Sequence, residues 1–150
     1  MSKKFETLFL ASQSPRRQDI LHEMGVQFTP VQNLLKHETL DQDHGSIRNQ
    51  LKHLCLNKAI ASAKHIDGWL LTADTIIYHN NKVIGKPRSF ENALATLTLL
   101  SDTTHQVITA CCLLNTTTKK HYFCSDVAIV KFNSLNHNDI VNYIKEKKPY

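Results

Sequence analysis

Near the start of the chain, Leu8-Phe9-Leu10-Ala11-Ser12 is a short apolar run of buried-strand type, closed by Gln13-Ser14 directly before several helix-start signals. Ser14 suits the N-cap and Pro15 the first helical position. Ile20, Leu21 and Met24 then recur at helical spacing, and Gly25 follows as a stop. A buried strand feeding a helix through a tight loop restricts the chain to folds in which helices cover a sheet.

The rest of the chain continues that alternation. A second strand is expected around Gln27 to Val31, then a polar, unpatterned loop from Gln32 to Gly45 at the mouth of any site. From Ser46 an amphipathic helix turns Ile47, Leu51, Leu54, Cys55, Ala59 and Ala63 inward and ends near His65. The most apolar strand, Trp69 to Ala73, is expected to stop at Asp74-Thr75. A separate strand, Ile76-Ile77-Tyr78, then makes a hairpin with Val83-Ile84 through Asn80-Asn81. Ser89 caps a helix through Leu100 with Ala93, Leu94, Leu97 and Leu100 on one face. Two long strands, His105 to Leu114 and His121 to Phe132, precede a helix capped by Asn136 and carrying Ile140, Val141 and Ile144. The order predicts a mixed α/β fold, as one folding unit or two lobes sharing a sheet.

The 150 residues, 41% hydrophobic and 21% charged, suffice for a real core. No apolar run reaches the length of a membrane span, and Met1-Ser2-Lys3-Lys4-Phe5 leads into the first strand without a cleavage site, so a cytoplasmic protein with no membrane partner is expected. Cys55, Cys111, Cys112 and Cys124 include no C-x-x-C and read as reduced core residues, the adjacent pair pointing to opposite faces of a strand. The nine histidines form no cluster with zinc-ligand spacing. A net charge of +5 favours an anionic partner. Both nucleic acid and free nucleotides qualify; the basic residues are scattered apart from the tail Lys145-Glu146-Lys147-Lys148 and are not interleaved with aromatics, which weakens the nucleic-acid reading without deciding between the two.

Three places carry chemistry. In Ser12-Gln13-Ser14-Pro15-Arg16-Arg17 two guanidinium groups enter the first turn of a helix, where free N–H groups and the helix dipole already attract an anion. The same residues also fit a solvated basic turn. Asp74 follows a buried strand, where a carboxylate points into the crevice of open α/β sheets and can hold Mg²⁺ or accept a proton from water; capping a turn is the alternative. Gly85-Lys86-Pro87 sets one ammonium on a stiff turn.

In this order, Leu10-Ala11-Ser12-Gln13-Ser14-Pro15-Arg16-Arg17, Lys58-Ala59, Ala73-Asp74-Thr75, Gly85-Lys86-Pro87 and Leu99-Leu100-Ser101-x-x-x-His105-x-Val107-x-Thr109-Ala110 resemble the Maf family of nucleoside triphosphate pyrophosphatases. The resemblance implies a single domain over residues 1–150, with a mixed twisted sheet, flanking helices and two lobes around a nucleotide cleft. It also implies hydrolysis of a nucleoside triphosphate between the α and β phosphates with a divalent cation, Mg²⁺ or Mn²⁺. Carried over, Ser12, Arg16, Arg17, Lys58 and Lys86 line the triphosphate, and Asp74 accepts the proton of the attacking water. Glu38 and Asp74 hold the metal. Arg16, Thr75 as a substrate contact, and Gln106-Val107-Ile108-Thr109-Ala110 resemble the dTTP/UTP branch, in which modified pyrimidine nucleotides are further substrates. A homodimer is left open.

Two departures stand out. Where the family usually has an acidic pair after the second strand, this chain has His37-Glu38. Family members also continue past the last helix, with a glutamine that helps select the base, so the resemblance implies a domain incomplete after Lys148-Pro149-Tyr150. On that view the strands Trp69 to Ala73 and Val107 to Leu114 are expected to lack cover, and the competing reading is an inactive nucleotide-binding remnant or regulator of cell division.

Overall fold

The computed structural model describes residues 7–150, so the leader-free reading of Met1 to Phe5 lies outside the described residues. The elements run β1 (Leu8–Leu10), α1 (Pro15–Glu23), β2 (Thr29–Pro30), a single 3-10 turn (Gln42–His44), α2 (Ile47–Ser62), β3 (Trp69–His79), β4 (Lys82–Ile84), α3 (Phe90–Leu100), β5 (Thr104–Asn115), β6 (His121–Lys131) and α4 (His137–Lys147). The strands form one sheet in the order β2-β1-β3-β5-β6, with β4 paired to β3. Among the described residues no helix is long and apolar enough to cross a membrane.

The chain divides into two compact units. The first holds the residues up to Asp74 together with Thr109–Asp126, and the second holds Thr75–Ile108 and Val127–Tyr150. In the first unit β1 lies parallel to both β2 and β3, with Leu10 opposite Pro30 on one side and Leu71 on the other. Leu10, Leu70, Ala110, Cys112 and Leu114 from the sheet and Leu51, Leu54, Cys55 and Ala59 from α2 are buried. Each such leucine contributes about 1.5–3 kcal/mol. Gly68 brings the chain into β3 at φ 141°, where a Cβ would meet the Thr7 carbonyl oxygen at 2.6 Å. Only glycine fits there.

In the second unit Ala93, Ile140 and Ile144 form a core between α3 and α4, flanked by Phe90, Leu94, Leu97 and Leu135. Both helices start as expected: Ser89 Oγ accepts from Asn92 N at 3.1 Å and Asn136 Oδ1 accepts from Asp139 N at 2.8 Å. Asn80 and Asn81, at φ 47° and 60°, make the two-residue turn of the β3–β4 hairpin, the left-handed pair that suits the twist of its strands.

The structure corrects three expectations. β3 is one strand from Trp69 to His79, so Asp74 sits mid-strand and not at a strand end. A carboxylate inside a strand is tolerated because Lys58 neutralises it, and Thr75 is itself β-branched. The apolar stripe of α1 is uncovered: the helix buries no residue, and Ile20 and Met24 are 47% and 69% exposed. Helical spacing defines a face, whereas burial needs an element lying against it. Of the cysteines, Cys55 and Cys112 are core residues but Cys124 is exposed and Cys111 half-buried, because Cys111 lies on the less covered face of β5. In the strands expected to lack cover, Leu70, Ala73, Ile108, Ala110, Cys112 and Leu114 are buried whereas Trp69, Leu71, Val107, Cys111 and Leu113 are half-buried, and the large exposed apolar side chains include Tyr122, Phe123 and Ile129 of β6.

Candidate active site

The segments that follow β1 and β2 leave the sheet of the first unit at one edge. β1 and β2 are parallel to β3 and end opposite its early residues: Ala11 N donates to Leu71 O at 3.0 Å and Val31 N donates to Leu10 O at 2.9 Å. Asp74 lies three residues beyond Leu71, the last position of β3 paired with β1, and so still stands at the carboxyl edge of the parallel strands although its own strand runs on. This is the edge at which open α/β sheets bind ligands.

The loop after β1 is organised by Ser12, which is buried. Its Oγ accepts from Ser14 N at 3.3 Å and from Arg17 Nη1 at 3.1 Å. Ser14 stands at the N-cap position, but its side chain makes no cap hydrogen bond, so the first turn of α1 begins with Pro15 and two guanidinium side chains and no acidic residue. Arg16 is exposed and Arg17 half-buried. An exposed guanidinium, a second one fixed by a serine, and a helix N-terminus form a cationic surface suited to phosphate oxygens.

The second group centres on Lys58, on the inner face of α2. Its Nζ lies 2.9 Å from Asp74 Oδ2 and 3.1 Å from Glu38 Oε1, and its side chain is only 8% exposed, against 21% for Asp74 and 43% for Glu38. A lysine is stable at such burial because two carboxylates replace its hydration. One turn earlier on α2, Thr72 Oγ1 donates to Cys55 O at 2.7 Å and Cys55 Sγ donates to Ala110 O at 3.3 Å, which ties the helix to β3 and β5 and fixes where Lys58 emerges. Burial, and then the nearby Asp74 carboxylate, push the Cys55 thiol up to about 12. It is therefore a structural thiol and no nucleophile.

Glu38 is held from the other side by Asn33, whose Nδ2 donates to Glu38 Oε1 at 2.8 Å. Thus the structure brings Ser12 together with Arg17, and Glu38 and Asp74 together on Lys58. Thr75 is exposed on β3 in the second unit, and Lys86 is exposed on the segment between β4 and α3. Among the described residues no three His, Cys, Asp or Glu side chains gather as a metal cluster. Two hard carboxylates sharing one cationic atom do suit a Mg²⁺-type ion that takes its remaining ligands from water and phosphate. Sequence reasoning missed Asn33 and its partner Ser62, since neither belongs to a motif and 29 positions separate them.

A family model described as Maf-like protein matches residues 7–150. A dTTP/UTP pyrophosphatase of Clostridium perfringens (strain SM101 / Type A) is 38% identical over 144 residues, 95% of this chain and 74% of the relative. One from Aquifex aeolicus (strain VF5) is 32% identical over 143 residues, 95% of this chain and 73% of the relative. Among solved structures, the Staphylococcus aureus Ham1 protein superposes with a TM-score of 0.54 at 12% identity, covering 84% of this chain and 71% of that one. That likeness bears on the fold and agrees with the mixed α/β sheet with flanking helices expected from the sequence.

Proposed function

Because the chain belongs to the Maf family, we propose that it is a nucleoside triphosphate pyrophosphatase that hydrolyses dTTP and UTP to the monophosphate and pyrophosphate, as the names of its relatives describe for them. The observation that carries this reading is Lys58 Nζ set between Asp74 and Glu38 at the carboxyl edge of the parallel strands. The Ser12 to Arg17 loop opens from that same edge.

The reaction needs positive charge on the triphosphate, an aligned water at the α-phosphorus and an acceptor for that water's proton. Ser12, Arg16, Arg17 and Lys58 supply the first, with Arg17 oriented by Ser12 Oγ. Asp74 accepts the proton. Lys58 Nζ contacts both carboxylates, and its ammonium offsets the repulsion between them. Glu38 and Asp74 would hold the divalent cation, Mg²⁺ or Mn²⁺, which neutralises phosphate charge and makes pyrophosphate a better leaving group. Thr75 and Lys86 enter the proposal as substrate contacts through the family resemblance alone. A cytoplasmic setting, modified pyrimidine nucleotides as further substrates, and a homodimer belong to the same reading, with nucleic acid and membranes outside it.

The test is release of pyrophosphate from dTTP and UTP, against dATP and dGTP, with Mg²⁺ or Mn²⁺ and with chelator. Pyrimidine-selective, cation-dependent release supports the proposal. Nucleotide binding with no release under any of these conditions would replace it with a binding protein.

A further inference from the structure

We propose that Asn33, braced by Ser62, is the positioning residue that aims Glu38 at Lys58. The inference rests on the functional reading above, in which Glu38 helps hold the divalent cation.

The Asn33 amide is fixed at both ends. Its Oδ1 accepts from Leu35 N at 3.0 Å and from Ser62 Oγ at 3.4 Å, and its Nδ2 donates to Glu38 Oε1 at 2.8 Å. A backbone N–H can only donate, so the amide oxygen must face Leu35 and the NH₂ end must face Glu38. Ser62, 1% exposed, has no freedom of its own, because its Oγ also accepts from Leu34 N at 2.9 Å. Lys58 and Ser62 are four residues apart and share one face of α2. That single face therefore meets Glu38 twice, directly through the ammonium and indirectly through Ser62 and Asn33.

Without this brace Glu38 is a half-exposed side chain on a loop of polar sequence with Lys58 as its remaining partner, and it spends part of its time turned away from the site. A carboxylate that must turn toward a cation before binding it loses affinity in proportion to the time it faces elsewhere. An amide is the suitable partner here. It donates to the carboxylate without adding charge, whereas a second carboxylate at hydrogen-bond distance would repel it.

The test is a double-mutant cycle with Asn33→Ser, Glu38→Gln and the pair. Serine can still accept from Leu35 N in a local turn but cannot span to Glu38, so the loop keeps its form. Two quantities are read: kcat/KM for dTTP with Mn²⁺, and Mn²⁺ binding to the nucleotide-free chain by water-proton relaxation. Asn33→Ser should lower each by about tenfold, the order expected for one hydrogen bond to a charged group, with melting close to wild type. In the Glu38→Gln background the same change should cost less than about twofold, because the residue it acts through is already gone. Losses that multiply, or an Asn33→Ser protein equal to wild type, would overturn the proposal. Should Asn33→Ser fail to fold, Ser62→Ala carries the cycle with the same expectation. If wild type releases no pyrophosphate, the functional reading falls and the Mn²⁺ arm alone decides whether Asn33 acts through Glu38.

Discussion

Replacing Lys58 by methionine keeps the length and most of the volume of the side chain while removing the charge shared by Asp74 and Glu38. With Nζ 2.9 Å and 3.1 Å from the two carboxylate oxygens, those oxygens lie at most about 6 Å apart. At an effective dielectric constant near 20 their repulsion is on the order of 2–3 kcal/mol, and in water well under 1. Glu38 is half-exposed and can turn outward, so the lower part of that range applies to it. The lost bond to the better buried Asp74 costs roughly 1.5–3 kcal/mol. Relief of the buried ammonium's desolvation offsets part of this. The net expectation is a loss of about 2 kcal/mol, or roughly 4–8 °C in Tm for a chain of this size. A divalent cation should then repair the variant, because it replaces the missing charge without competing with an ammonium. Melting curves of wild type and Lys58→Met, each with chelator and with Mn²⁺, measure both effects, and the Mn²⁺-dependent rise in Tm should be larger in the variant. Equal melting in chelator together with equal Mn²⁺ shifts would refute the bridging role of Nζ.

Asp74→Asn should lower kcat for pyrophosphate release by at least about two orders of magnitude with little change in melting, since an asparagine oxygen still accepts from Lys58; an unchanged kcat would remove Asp74 from proton transfer. Arg17→Ala and Ser12→Ala should weaken dTTP binding, the first by about 1.5–3 kcal/mol in calorimetric titration, and Arg16→Ala should do so without any change in Tm because Arg16 is exposed. Stability should fall on acidification. Burial, then neighbouring His79, hold His105 below its ordinary value, and burial followed by His44 and His121 does the same for His53. The unfolded chain therefore binds protons first, so stability is full above about pH 6.5 and is lost as pH drops below that toward the folded values. Among the described residues His105 Nδ1 has no hydrogen-bond partner, which suits a neutral ring edge-on to Phe132. Tm measured from pH 7.5 to 5 should show this slope, and His105→Leu should flatten it; an unaltered slope would clear His105.

What the sequence disclosed was local. Ser89 and Asn136 signal helix starts because each cap bonds a backbone N–H three residues on, and Asn80-Asn81 signals a hairpin because asparagine tolerates positive φ. The Ser12 to Arg17 loop is legible for the same reason, as the hydrogen bonds from Ser14 and Arg17 to Ser12 Oγ span two and five positions. The continuity of β3 is hidden in the sequence because polarity at Asp74 reads as a break, and the residue that cancels it, Lys58, lies 16 positions away on another element. The α1 stripe misleads in the opposite direction: Ile20 and Met24 keep helical spacing, but nothing local states whether a partner covers them.

The correction to β3 alters the argument for Asp74 and still leaves it at the site. An acidic residue at a strand end can be explained by capping alone. One inside a strand has no turn to cap, so its side chain needs another reason to be there. Lys58 supplies a structural reason, but a buried ion pair contributes little net stability compared with apolar residues of the same size. Two carboxylates on one buried ammonium, one of them steered from a loop by an amide, are thus hard to account for as reinforcement of the fold. The arrangement is what a site needs if it must keep acidic oxygens aligned, charge-balanced and exchangeable until a polyphosphate and its cation arrive.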